Sequence, residues 1–113
     1  MSRPSRAQIV LVAFDPIQGH EQGGKRPAVI LSNDAMNHGA AELVTVVPIT
    51  TKGRPLRSYL KVNPPEGGLT KISYVICDQV RTISTRRILR ATGSLHPNTM
   101  HEIEDRIRLL LDL

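Results

Sequence analysis

The chain has 113 residues and few aromatic side chains, with one Phe, two Tyr and no Trp. This length supports one hydrophobic core, so we expect a single domain over residues 1–113. Fifteen Lys and Arg against ten Asp and Glu give a net charge of +5, which favours a polyanion or an acidic partner without separating RNA from DNA, membrane or acidic peptide. The single cysteine excludes an internal disulfide and indicates a reducing compartment.

Two apolar runs near the amino terminus predict neighbouring strands. The first covers residues 9–14 and stops at Asp15-Pro16; it is too short for a signal peptide or a membrane span, so we expect a cytoplasmic protein. The second covers residues 28–31 and begins directly after Pro27. Between them lies a charged loop with three glycines, over residues 15–25, which we expect to be more mobile than either strand.

Shorter elements follow. The pattern predicts a helical turn near residues 34–37 and strands over residues 43–47, 56–62, 73–77, 79–83 and 89–93, with irregular structure over the Pro- and Gly-rich residues 63–68. Pro97 and the apolar stripe that follows predict a terminal helix packed on a sheet; the stripe consists of Met100, Ile103, Ile107, Leu110 and Leu111. The other face of this helix mixes both charge signs, so we expect no membrane partner. Together these elements predict a mainly β fold, a small bent antiparallel barrel with a C-terminal helix.

The reactive side chains give no sign of a metal site or a cofactor. The four histidines are scattered, and no carboxylate pair has metal-ligand spacing. Cys77 lies in an apolar run with no histidine near it in sequence, so we predict a buried, inert thiol.

Three blocks of sequence resemble one known family. The first is F-D-P-x-x-G-x-E-Q-x-G-x-R-P-A-V-x-L-S, from Phe14 to Ser32. The others are Val47-Pro48-Ile49-Thr50-Thr51 and Cys77-Asp78-Gln79-Val80-Arg81-Thr82-Ile83. In order and spacing they resemble the MazF/PemK toxin endoribonucleases of bacterial toxin-antitoxin pairs. One departure is Ala7-Gln8, where the family usually has Gly-Asp. The resemblance implies an SH3-like barrel with added helices, usually a homodimer, which cleaves single-stranded RNA and is restrained by an acidic, partly disordered antitoxin segment.

Arg26, Thr50 and Glu21 are the predicted catalytic residues. A guanidinium binds two phosphate oxygens at once and stays charged, and Arg26 stands where the family has its catalytic arginine. Thr50 matches the catalytic threonine, whose hydroxyl could contact phosphate or orient the attacking 2′-hydroxyl. Glu21 matches a family acidic residue that could accept the 2′-hydroxyl proton or hold Arg26 in place; we favour the second role, because a carboxylate with a pKa of about 4.3 is a weak base. His20 has a suitable intrinsic pKa, but the family pattern does not require histidine there.

A larger set of side chains is expected to position the RNA. Cations would contact phosphates, and the amides of Gln22 and Gln79 would bind base edges on an unpaired strand. Because aromatic side chains are scarce, we expect base recognition to depend on hydrogen bonds more than on stacking. The predicted RNA-binding residues are Phe14, Gln22, Lys25, Ser32, Thr51, Lys52, Arg57, Gln79 and Arg81, with Arg54 as a further phosphate contact.

A second class of function stays open at this point. A toxin of the same fold could bind and poison a protein target such as DNA gyrase, with no chemistry of its own. The presence of both Arg26 and Thr50 favours the enzyme.

Overall fold

The computed structural model describes residues 3–14 and 24–113. Four sequence predictions lie outside these residues: the catalytic role of Glu21, the RNA contact of Gln22, the possible role of His20 and the mobility of the loop after Phe14.

The described residues form seven strands and two α-helices. The strands are β1 Gln8–Ala13, β2 Lys25–Ile30, β3 Leu43–Thr50, β4 Tyr59–Val62, β5 Ser73–Ile76, β6 Arg81–Ser84 and β7 Ile88–Ser94. Helix α1, Asp34–Asn37, follows β2, and helix α2, Pro97–Leu111, ends the chain; short 3-10 turns cover Glu66–Gly68 and Thr85–Arg87. None of these helices is long and apolar enough to cross a membrane.

All strand pairs are antiparallel, in the order β4-β5-β3-β2-β1-β7. Strand β3 pairs with two further strands: its first half pairs with β6, and its last two residues pair with β5. The mainly β, antiparallel fold with a C-terminal helix is therefore confirmed. Within residues 3–14 and 24–113 the paired strands form an open path that ends at β4 and β7, so closure into the predicted barrel is not seen in the pairing.

The core consists of two apolar clusters on opposite faces of the central strands. Alternate residues of a strand point to opposite faces, so in β1 Ile9 belongs to the cluster beneath α2 whereas Val10 and Val12 belong to the other. Both faces of β1 are buried, which explains its unbroken apolar run. The cluster beneath α2 also joins β2, β3, β4 and β5, through Val29, Val47, Ile49, Leu60, Val62 and Val75.

Helix α2 covers this cluster with Met100, Ile103 and Ile107, as its spacing predicted. The predicted stripe is wrong at its end, because the cluster stops at Ile107 and the last two residues of the stripe, Leu110 and Leu111, are 42% and 57% exposed. The amino-terminal segment ties the helix to β2: the Arg6 guanidinium forms an ion pair with Glu104 and also donates to the Leu31 carbonyl.

Several predicted boundaries need correction. Strand β2 begins at Lys25 rather than residue 28 and contains Pro27, since proline lacks only the N–H and its fixed φ is compatible with an extended chain. For the same reason β3 continues through Pro48 to Thr50. The strand predicted over residues 56–62 begins only at Tyr59, and residues 63–68, predicted to be irregular, include a 3-10 turn.

Replacement of Ile103 by Ala tests the packing of α2. The side chain is fully buried, so Ile103→Ala should lower the free energy of unfolding by about 2–5 kcal/mol in urea titrations. The adjacent, exposed Glu102 is the control, and Glu102→Ala should change it by less than about 0.5 kcal/mol. Equal losses in the two variants would contradict the packing of α2 on the sheet.

The Cys77 thiol offers a second test of the core. It is 1% exposed, and burial raises its pKa to about 11, because the thiolate would lose its hydration. We expect iodoacetamide at pH 8 to leave the native protein unmodified and to alkylate it fully in denaturant, as measured by mass spectrometry. Rapid labelling of the native protein would place Cys77 outside the core.

Candidate active site

The sheet forks between β2 and β3 at two prolines. The backbone pairs of these strands end at Ala28 and Pro48. Beyond this point β2 stays paired with β1, through Pro27, Arg26 and Lys25, while the end of β3 pairs with β5. The odd-numbered residues of β2 bond toward β3, as Leu31 does through its amide to the Thr45 carbonyl, so the next donor toward β3 would come from residue 27, and Pro27 has no N–H to donate.

An open groove of about 420 Å³ lies at this fork. Extending the register of Ala28 with Pro48 by two residues places Arg26 opposite Thr50, one on each side of the gap. The polar residues of its lining are Arg26, Thr50, Thr51, Lys52, Arg54, Tyr59, Ser73 and Gln79. The apolar residues of its lining are Pro27, Ile49 and Ile76.

Arg26 and Thr50 are each fixed by strand structure. Arg26 is exposed and lies opposite the fully buried Val12 of β1. The Thr50 hydroxyl oxygen accepts a hydrogen bond of 3.1 Å from the Lys52 amide, where the chain turns out of β3. This bond uses an acceptor position of the hydroxyl, so its own proton remains able to donate. The site thus combines an exposed guanidinium with a backbone-oriented hydroxyl.

The loop over residues 51–58 forms one wall of the groove and is held along its length. The Tyr74 ring packs directly against Gly53, where a Cβ atom would lie 2.4 Å from the ring carbon Cζ. Near the end of the loop, the Arg106 guanidinium of α2 donates to the Arg57 carbonyl. These contacts fix the backbone that presents Thr51, Lys52 and Arg54 to the groove.

The groove is positively charged. Within residues 3–14 and 24–113, its lining includes the cations Arg26, Lys52 and Arg54 and no carboxylate. Among the residues that the structure describes, the ion pairs of arginine with carboxylates involve Arg6 and Arg108 instead. The same residues contain no group of three or more His, Cys, Asp or Glu that could hold a metal ion. A groove of this charge attracts an anion such as a phosphodiester.

Five of the predicted site residues come together here: Arg26, Thr50, Thr51, Lys52 and Gln79. Lys25 is exposed at the start of β2, next to Arg26, and Arg57 is exposed at the end of the loop. Neither of these two side chains lines the groove.

Phe14 does not fit the predicted contact with RNA. Its ring is 5% exposed and belongs to the core cluster on the face opposite α2. The Arg81 guanidinium lies 4.9 Å from the centre of the ring, in a cation–π contact. The ring is therefore not available as a stacking surface, and Arg81 covers it instead of reaching into the groove.

Ser32 also lies apart from the other predicted site residues. It is six residues beyond Arg26, about 20 Å along an extended chain. Its hydroxyl donates to the Asn37 side chain and accepts from the Thr45 amide at 2.9 Å. These bonds hold helix α1 against β3 and give Ser32 a structural role away from the groove, and its contact with RNA stays a prediction.

Two polar lining residues, Tyr59 and Ser73, were not among the predicted site residues. Residues 59–62 alternate Tyr, Leu, Lys and Val, and Leu60 and Val62 are buried beneath α2. This alternation could have placed Tyr59 on the opposite face of the sheet. Ser73 is buried, and its hydroxyl donates to the Lys71 carbonyl at 2.9 Å. Nothing in the sequence marks it as part of a groove.

Comparisons with known proteins agree with this geometry. The sequence profile of the family described as "PemK-like, MazF-like toxin of type II toxin-antitoxin system" matches residues 5–111. Endoribonuclease MazF9 of Mycobacterium tuberculosis is 34% identical, with 96% of each chain covered. Two solved complexes are similar. MazE-MazF (Form-II) from Deinococcus radiodurans has a TM-score of 0.85 at 25% identity, covering 100% of this chain and 99% of that chain. An endoribonuclease in complex with its cognate antitoxin, from Mycobacterial species, has a TM-score of 0.78 at 26% identity, covering 97% and 96%.

Proposed function

The chain belongs to the PemK-like, MazF-like toxins of type II toxin-antitoxin systems, and we propose that it is a sequence-selective endoribonuclease that cleaves single-stranded RNA in this groove without a metal ion. The observation that supports this most strongly is the position of Arg26 opposite Thr50, in a lining with two further cations, Lys52 and Arg54. One groove thus offers a binding site for a phosphodiester and hydrogen-bonding groups beside it.

The proposed reaction is an attack within the RNA strand. The 2′-oxygen forms a bond to the adjacent phosphorus as it loses its proton, and the bond from phosphorus to the 5′-oxygen breaks as that oxygen gains one. The products are a 2′,3′-cyclic phosphate and a 5′-hydroxyl. The Arg26 guanidinium stabilises the charge that develops on the non-bridging phosphoryl oxygens. The Thr50 hydroxyl binds the phosphate or orients the 2′-hydroxyl, and Glu21 holds Arg26 or accepts the proton.

Side chains around these groups are proposed to hold the rest of the substrate. Lys52 and Arg54 line the groove beside Thr51 and would neutralise neighbouring phosphates. Lys25, Arg57 and Arg81 lie outside the lining and would contact phosphates of the RNA where it leaves the groove. Gln79, in the lining, and Gln22 would bind base edges.

We also propose two protein partners and a location. The first partner is a second copy of the chain, since a twofold pair would extend the basic groove to several nucleotides. The second is an antitoxin with an acidic, partly disordered segment, which would compete with RNA for the groove cations. The similar solved complexes, MazE-MazF and an endoribonuclease with its cognate antitoxin, support this pairing. The proposed setting is the cytoplasm.

Replacement of Arg26 by Ala separates catalysis from binding. If the guanidinium stabilises charge at the scissile phosphate, Arg26→Ala should lower the cleavage rate at saturating RNA by about 10²-fold or more. Thr50→Ala should behave in the same way if its hydroxyl orients the attack, and should lose less if it only contacts phosphate.

The matched control is Arg90→Ala, which removes an exposed arginine of β7 outside the groove and should keep the wild-type rate. Thermal melting checks that each variant is folded. If Arg26→Ala cleaves saturating RNA at the wild-type rate, Arg26 is a binding residue and the mechanism is wrong. If the wild-type protein cleaves no RNA at all, the toxin acts by binding alone.

Metal chelation tests the proposed chemistry directly. Because side chains supply the charge and the hydrogen bonds, RNA cleavage should continue at an unchanged rate in excess EDTA. The measurement follows a defined RNA and maps the cut ends, with a metal-dependent nuclease as the control for chelation. Activity that appears only after magnesium or manganese is added would contradict the mechanism.

A further inference from the structure

The groove has two chemically different sides. The cations Arg26, Lys52 and Arg54 are suited to phosphate, whereas the lining contributed by β4, by β5 and by the segment after β5 includes the Tyr59 ring, the apolar Ile76 and the Gln79 amide. A phosphate gains nothing from an aromatic ring beside an apolar side chain. A nucleobase does, because it has a flat π-surface and a polar edge.

Of the three aromatic side chains, Tyr59 is the one in a position to contact a base in the groove. The chain has one Phe, two Tyr and no Trp, and each ring has a distinct environment. Phe14 is buried beneath Arg81, and Tyr74 packs on Gly53. Tyr59 is half-buried and lines the groove.

The backbone around Tyr59 holds the ring in a fixed place. Its amide donates to the Leu56 carbonyl at 3.0 Å, and the preceding Ser58 carbonyl accepts from the Cys77 amide at 2.7 Å. Within β4 it pairs with Ile76 of β5. Its neighbour Leu60 is buried beneath α2, so the ring must point to the face where the groove lies.

Strand geometry sets the separation between this ring and the proposed catalytic residues. Thr50 pairs with Tyr74 of β5, and Tyr59 pairs with Ile76 two residues further along β5. Two strand spacings and two residues put the Cα atoms of Thr50 and Tyr59 on the order of 12 Å apart. Both side chains line the same groove, and a separation of this size is compatible with one nucleotide that has its phosphate at Thr50 and its base at the ring.

We propose that the Tyr59 ring is a stacking platform for the base next to the scissile phosphate, and that the Gln79 amide hydrogen-bonds the edge of that base. The inference rests on the proposed function, because it assigns a role in RNA binding to the side of the groove that Tyr59 and Gln79 line. It makes Tyr59 a substrate-positioning residue: the ring holds an unpaired base of any sequence, and the amide favours some base edges over others.

Binding to a non-cleavable RNA tests the stacking apart from catalysis. The RNA carries a 2′-deoxy nucleotide at the attacking position, and a set of copies lacks one base at a time. Tyr59→Leu should weaken binding of the intact RNA by about 10-fold or more, since stacking of one base is worth roughly 1–3 kcal/mol. On the RNA that lacks the stacked base, wild type and Tyr59→Leu should bind alike. Tyr59→Phe keeps the ring and should bind within about 2-fold of wild type on every RNA, because stacking needs only the π-face.

Tyr59→Trp provides a second measurement that preserves an aromatic ring. The natural chain has no tryptophan, so this variant contains a single indole fluorophore. Its emission should be quenched by the intact RNA and not by the RNA that lacks the stacked base. This signal reports the contact even if Tyr59→Leu does not fold, which thermal melting would reveal.

The outcomes distinguish this inference from the function on which it rests. If Tyr59→Leu loses the same affinity on every RNA, or none, or if the indole is quenched equally by all of them, the stacking proposal is wrong while cleavage by Arg26 stands. If the wild-type protein neither binds nor cleaves RNA, the proposed function fails, and the inference with it.

Discussion

Pro27 lacks the N–H that would continue the hydrogen bonding of β2 to β3, and the groove lies where these two strands separate. Each strand then keeps a different partner, β1 for β2 and β5 for β3. Arg26 and Thr50 therefore stay in register on strands of one sheet without being joined by its ladder. In a continuous ladder the strands would lie about 4.8 Å apart, too close for a phosphate to enter between them.

The site requires a constant separation between β2 and β3, and the core beneath α2 maintains it. One apolar cluster contains Val29 of β2, Ile49 of β3 and Val75 of β5, and Ile103 of α2 packs on it from the helix side. The strands on both sides of the fork are thus held by a common buried surface on the face opposite the groove. Close-packed interiors resist such displacement, so the backbone positions of Arg26 and Thr50 are held in place before a substrate arrives. Electrostatic catalysis depends on this kind of preorganisation.

The sequence predicted the sheet, the terminal helix and the pair Arg26 and Thr50, because apolar periodicity and a continuous motif are local signals. It failed where a residue's role depends on a distant partner. Phe14 matches the family motif, but the cation that covers its ring comes from β6, and the partners of Ser32 come from α1 and β3. Tyr59 belongs to no motif; only the pairing of β4 with β5, and of β5 with β3, brings it to the groove. The early start of β2 was missed because a proline in a strand interior normally argues against a strand.

Charge is distributed differently on the two sides of the sheet. On α2 the carboxylates of Glu104 and Asp105 neutralise Arg6 and Arg108, so the helix side of the sheet carries balanced charge. The groove lining on the other side includes three cations, Arg26, Lys52 and Arg54, so part of the excess positive charge of the chain lies where the scissile phosphate is proposed to bind. Attraction of this kind raises the association rate of a polyanion and weakens with salt. An acidic segment that occupies the same cations removes that attraction without disturbing the alignment of Arg26 with Thr50. Inhibition by charge neutralisation and catalysis by a positioned guanidinium can therefore share one surface.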